Sequence, residues 1–279
     1  MKGTSGKDDR VVVQHKFNFW DFDRSGTVPI WTMAQHIQSL AYQAKIKTFF
    51  KSPLHGYPST EVHVLRSQSW EIFPSYYKCF RPDSILTATI KMLNVGKTSF
   101  TVETEVSDTS AEVVVKNLSQ YVNFCMDTRK TKPLPDWVRK RYAHLTSQPR
   151  PTTVQVFERQ AFTTPFVHSV SVQPSHIDWY KHVFQHYYIT YCFDCAALGA
   201  RSGMYSTVKG NILKHKVRTF SVLYQREALE GDVLSVESWE DERHPGTLKF
   251  QVKKGSVDIV QMAIAFYTSS DFKKQESKL

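Results

Sequence analysis

Between His176 and Asp194 the chain reads HIDWYKHVFQHYYITYCFD. Asp178 stands just ahead of an apolar run rich in aromatics, and His182 follows four residues later. An aspartate in that position admits two readings. As a helix cap it satisfies unpaired backbone amides, a contribution of about 1 kcal/mol. As a catalyst it sits where those amides and the positive end of the helix dipole polarise a carbonyl, and its carboxylate attacks or deprotonates water. The residues alone leave both readings open. His182 and His186 have the i, i+4 spacing of helical metal ligands, but no H-E-x-x-H and no third ligand accompanies them, so no metal is expected. Cys192 and Cys195 form a C-x-x-C with no second pair at zinc spacing, and inside a helical run they are expected in the core. Asp194 reads as a satisfied core acid or as a second carboxylate.

The elements that must position these groups are written twice. The first half opens on an alternating stretch, VVVQHKFNF (residues 11–19), then WDFDRSGTVPIW, then a helical stretch to about Phe50. The second opens on FVHSVSVQ (166–173), then SHIDWYKHVF, then a helical stretch to about Gly203. Asp23 and Asp178 hold matching places, 155 residues apart. Later, GKTSFTV (96–102) matches GTLKFQV (246–252), and SILTATI (84–90) answers DVLSVES (232–238). Each half predicts a strand, a long helix and four antiparallel strands with short turns. A meander that wraps one helix buries it on most sides, which accounts for apolar runs such as YYITYCF. The implied layout is a first domain over 1–126, a basic, proline-containing connection over 127–160 with a helical turn near Asp136–His144, a second domain over 161–268 and a flexible tail over 269–279.

The chain has 279 residues, 41% of them hydrophobic, so a sizeable core is expected and disorder over most of the length is not. No run of 18 apolar residues predicts a membrane span, and the polar N-terminus MKGTSGKDDR lacks the apolar stretch of a secretory signal. The four cysteines make no disulfide framework, so reduced thiols inside the cell are expected. The formal charge is +10, yet the basic residues are scattered and no nucleic-acid motif is present. Such a surface suits small anions, phosphorylated cofactors or acidic carrier proteins. Ser277-Lys278-Leu279 matches the tripeptide read by the peroxisomal import receptor, which predicts a peroxisomal location and makes acyl-CoA substrates expected.

At the strand-to-helix junctions the sequence resembles the hotdog-fold acyl thioesterases of the 4-hydroxybenzoyl-CoA thioesterase type, whose signature is D-x-D-x-x-G-H-V-N-N-x-x-Y. The first half keeps Asp21, Asp23, Gly26 and Val28, and the second keeps Asp178, His182, Val183 and Tyr188, with Gln185 at the last asparagine. The second half departs at His176, Lys181 and Phe184. The tandem layout is similar to plant acyl-carrier-protein thioesterases, and CMDTRKTKPLPDWVRKRY resembles their link after the first domain. The resemblance covers roughly residues 10–268. It implies an α+β fold of two tandem hotdogs, each an antiparallel sheet wrapped around a long central helix. It implies catalytic carboxylates at Asp178 and Asp23, with His182 and Gln185 orienting water or the thioester, each acid meeting the other half's helix start across the seam. No separate cofactor is required; coenzyme A arrives as part of the substrate. Its phosphates are expected at Lys214, Lys216 and Arg218. A homodimer of the fused pair is a further expectation.

Two rival classes follow from the same residues. A hotdog enoyl-CoA hydratase needs D-x-N-P-x-H, but His182 lies at +4 from Asp178 and no Asn-Pro occurs. A non-catalytic acyl-CoA-binding double hotdog draws support from Phe184 and Lys181.

Overall fold

A computed structural model describes residues 9–50, 61–148, 151, 154, 156–159 and 163–268. The predicted tail and its Ser277-Lys278-Leu279 lie outside the described residues. The first half runs β1 (Arg10–Lys16), α1 (Ile30–Ala44), β2 (Glu61–Ile72), a short α2 (Tyr76–Cys79), β3 (Ile85–Val95), β4 (Ser99–Ser107) and β5 (Val113–Cys125). Next come β6 (Lys130–Thr131), α3 (Asp136–Arg141) and α4 (Ala143–Thr146). The second half repeats the order as β7 (Phe166–Ser171), α5 (Gln185–Arg201), β8 (Val217–Tyr224), β9 (Val233–Glu240), β10 (Thr247–Lys254) and β11 (Val257–Phe266).

The strands join one antiparallel sheet in the order β1-β3-β4-β5-β2-β8-β11-β10-β9-β7, with β6 beside β5. The order is a palindrome of the repeat, so the halves meet back to back along β2 and β8. Ser69 pairs with Ser221 at the centre of that seam, and Trp70 opposes Phe220. Those two rings stack at 4.8 Å and are both buried. The β-branched and aromatic residues of these strands alternate in and out, as a sheet with one buried face requires.

Each half wraps its sheet around its helix. On α1 the buried residues Ile30, Met33, Ala34, Ile37, Leu40 and Ala41 follow the i, i+3, i+4 spacing of one helical face. On α5 the buried set covers more of the circumference and includes Cys192 and Cys195, both fully enclosed. The cysteines are thus core residues, and Cys195 donates to the Val236 carbonyl at 3.3 Å. Trp31 of α1 and Phe193 of α5 touch ring to ring at 5.3 Å, so the two helices also meet across the seam.

The connection packs against the first half. Val138, Tyr142 and Leu145 are buried, the Tyr142 hydroxyl donates to the Phe49 carbonyl at 2.9 Å, and Asn94 holds the Leu145 carbonyl. Among the described residues no helix is long and apolar enough to cross a membrane.

Candidate active site

Asp178 does not cap α5. The helix begins seven residues later, and its N-cap is Phe184. Asp178 instead closes a five-residue loop. Its Oδ1 accepts the backbone N–H of Tyr180 (2.8 Å) and of His182 (3.1 Å), and its own N–H donates to the His182 carbonyl (2.7 Å). Lys181 occupies the left-handed position of this loop at φ 64°. Asp23 builds the same loop in the first half. Its Oδ1 accepts from Ser25 N–H (2.7 Å) and Thr27 N–H (3.4 Å), and Gly26 takes the left-handed position at φ 73°. In both halves, then, the aspartate folds the approach to the helix. In the Asp178 loop, Oδ2 accepts no hydrogen bond among the described residues.

The Asp178 loop places His182 beside Glu227, a residue that no motif marks. Ile177 and Val183 bridge, and the Val183 N–H donates to the Ala228 carbonyl at 3.1 Å, which ties the loop to the chain leaving β8. His182 Nε2 then lies 2.9 Å from Glu227 Oε2, and the other Glu227 oxygen pairs with Arg129. Arg129 comes from the start of the connection, between β5 and β6, so the cluster joins the second half to the connection. Burial holds the His182 imidazole below its ordinary value, with Arg129 pushing the same way and Asp178 opposing. The ring is therefore neutral at neutral pH. A carboxylate only accepts, so Nε2 carries the proton and Nδ1 keeps its lone pair. This is the arrangement of a general base oriented by an acid.

Gln185 is the first residue of α5. Its side chain accepts from Gln38 of α1, and its carbonyl accepts from the Tyr224 hydroxyl at 3.4 Å. Gln185 is thus fixed by the other half's helix, at the end of α5 where backbone N–H groups lack intrahelical partners. His186, next along, is buried; desolvation, with help from His176, pushes it down to about 4, and its Nδ1 has no hydrogen-bond partner among the described residues. His182 and His186 gather no third ligand among the described residues.

The matching place in the first half is chemically different. Phe73 donates to the Val114 carbonyl as Gln225 does to Ile259, which aligns the ends of β2 and β8. By that alignment Ser75 stands where Glu227 stands, and Thr27 stands where His182 stands. Among the described residues Asp23 has no imidazole or carboxylate partner there. What this end has is room: a cleft of about 640 Å³ lined by Arg24, Trp31, Phe193, Asp194, Arg201 and Asn211. Asp194 opens into this cleft and is no satisfied core acid; surrounding protein holds its carboxyl above the ordinary range, partly offset by His168.

The expected phosphate cations also belong to the Asp23 end. Lys214 closes a short turn before β8, Lys216 lies 4.7 Å from the Tyr77 ring within reach of the Asp23 charge, and Arg218 is the second residue of the strand. Glu227 lies past the other end of β8, roughly 30 Å away at about 3.3 Å per residue. The strand register separates Lys214, Lys216 and Arg218 from His182. Arg66, which donates to the Tyr224 carbonyl, is the cation β2 brings to the His182 side.

No family model and no curated sequence matches the chain. Solved structures do. A protein from Lactobacillus plantarum assigned as an oleoyl thioesterase is 15% identical over 93% of this chain and 96% of its own, with a TM-score of 0.77. A 12:0-ACP thioesterase from Umbellularia californica is 14% identical over 95% and 99%, at 0.73. An acyl-ACP thioesterase from Bacteroides thetaiotaomicron is 18% identical over 95% and 100%, at 0.71. These likenesses establish the fold, two hotdogs in tandem, over 93–95% of the chain.

Proposed function

We propose that the protein is a thioester hydrolase that works at the Asp178 end of the seam. The observation that carries the reading is the contact between His182 and Glu227, beside Asp178 and the first turn of α5. In this mechanism His182 Nδ1 takes a proton from water, aided by the free oxygen of Asp178. The water oxygen bonds to the thioester carbonyl carbon while the first amides of α5, at Gln185 and His186, receive the developing oxyanion. Collapse breaks the C–S bond, and the imidazolium returns its proton to the departing sulfur. The products are a free acid and a thiol. A thiolate leaves readily, its ordinary pKa being about 8.5, so one base of modest strength suffices.

The substrate we propose is a fatty acyl-CoA, on the strength of the cationic charge and the Ser277-Lys278-Leu279 tripeptide. Two of the similar structures bear names that specify acyl carrier protein, which makes acyl-ACP the second reading. Thiol release measured side by side on matched acyl-CoA and acyl-ACP substrates separates the two. Loss of release in His182→Ala and Glu227→Gln supports the hydrolase. Tight acyl-CoA binding with no release from either substrate would replace it with the non-catalytic binder. A reporter fused ahead of residues 269–279 that stays diffuse in cells would remove the peroxisomal support for CoA.

A further inference from the structure

We propose that His15, Asp21 and His36 form a binding site for a divalent transition-metal ion of the zinc type, in the first half and apart from the His182 cluster. The three come from three elements: His15 from the inward face of β1, Asp21 from the single helical turn Phe19–Asp21, and His36 from α1. One ligand atom from each lies within 4.8 Å of the other two. Asp21 Oδ1 is 3.0 Å from His36 Nε2, and the two imidazole centroids are 4.1 Å apart. Two imidazoles and one carboxylate are a donor set suited to a borderline cation, and they leave a coordination position for water.

Two further observations point to a ligand. The first is His15 Nε2, a buried nitrogen with no hydrogen-bond partner among the described residues. Burying such a group unsatisfied is unfavourable, and a cation removes that penalty. The second is the internal repeat. A paired contact between helical turn and central helix recurs in the second half, where His176 Nδ1 meets the Tyr191 hydroxyl at 2.6 Å. In both halves a backbone N–H fixes the first partner: Asn18 donates to Asp21 Oδ2 (2.7 Å) and Gln173 to His176 (3.1 Å). The fold therefore needs one pair at this place and is served by a neutral one. The third position, however, is Val170 in the second half and His15 in the first. Packing against α1 asks only for an apolar side chain there, so an imidazole is surplus to structure. The backbone bond to Asp21 Oδ2 leaves Oδ1 aimed at the histidines, as an outer-shell partner does for a ligating carboxylate. Phe17, 5.7 Å from His15 and 5.5 Å from His36 by ring centroids, shields the site on one side.

The test uses the full chain, stripped with chelator, dialysed against zinc and assayed for bound metal, with Co²⁺ absorption as a report on coordination. One equivalent of zinc is expected, with a visible Co²⁺ spectrum of low-coordinate type and a rise in Tm on metal addition. His15→Val installs the residue of the second half and so preserves packing. Outer-shell losses already weaken metal sites about 10–100-fold, so His15→Val and Asp21→Asn are expected to weaken zinc by more than about 100-fold. His182→Ala retains full binding. Absence of stoichiometric zinc in the wild type, or zinc binding by a folded His15→Val chain as tight as the wild type's, overturns the proposal.

Discussion

The two junctions of this molecule share a backbone and differ in chemistry. Each has an aspartate that closes a five-residue loop before its central helix, and each helix start faces the other half. At the Asp178 end the loop delivers a neutral imidazole held by Glu227 and Arg129. At the Asp23 end the same positions hold Thr27 and Ser75, and nearby Arg24, Trp31 and Arg201 line a cleft. The shared part of the motif, the aspartate, is therefore what the fold requires. The unshared part, His182 with Glu227, is what reaction chemistry requires.

The largest expected effect tests that division directly. His182→Ala is expected to lower kcat/KM for thiol release by about 10²–10⁴-fold, the usual contribution of a general base. Glu227→Gln is expected to fall within that range, and Thr27→Ala to change nothing. Equal losses at Thr27 and His182 would mean that the two ends work as one site. Next in size is the aspartate pair. Asparagine keeps the Oδ1 acceptor, so Asp178→Asn and Asp23→Asn should both fold with unchanged Tm. Asp178→Asn is expected to slow release by about 10-fold or more through its lost negative charge near the base, and Asp23→Asn by less than about 2-fold.

The pH dependence sharpens the same contrast. His182 is held below its ordinary 6.5, first by burial. Release should therefore persist as pH falls through 6.5 and fail only lower, when the imidazole takes a proton and ceases to be a base. Arg129 contributes to that lowering, so Arg129→Met should move the acid limb of kcat/KM to higher pH. An acid limb that stays put would detach Arg129 from the site.

Much of the fold could be read from the repeat, because strand alternation and helix burial are local signals that each half states independently. The matched stretches GKTSFTV and GTLKFQV become β4 and β10, and the helical turn expected near Asp136 appears as α3 and α4. The candidate site was half legible. Asp178, His182 and Gln185 sit on one short segment, so a motif could find them. Glu227 is 45 residues beyond His182, past the end of β8, and Arg129 belongs to the connection; only the pairing of β8 and the Val183–Ala228 bond bring them in. Lys214, Lys216 and Arg218 stand at the start of β8, beside Asp23, and the eight-residue strand sets them apart from His182. His15, Asp21 and His36 escaped for a related reason: their contact is made by the wrap of β1 around α1, which no spacing expresses.

The smallest effect expected is one of stability, and it isolates the loop from the chemistry. The left-handed residue of the Asp23 loop is Gly26, which has no Cβ to strain, whereas the Asp178 loop puts Lys181 there at φ 64°. A non-glycine residue in that region costs about 1–2 kcal/mol, offset in glycine by its greater freedom when unfolded. Lys181→Gly should thus stabilise the chain by about 1 kcal/mol, a rise in Tm of roughly 2–4 °C for a protein of this size. Gly26→Lys should lower Tm by a similar amount. Lys181 is exposed and its backbone, not its ammonium, shapes the loop, so thiol release should be unchanged in Lys181→Gly. A loss of release with a gain in Tm would instead give the strained lysine a part in the reaction, and the second half would then owe its activity to its loop as well as to His182 and Glu227.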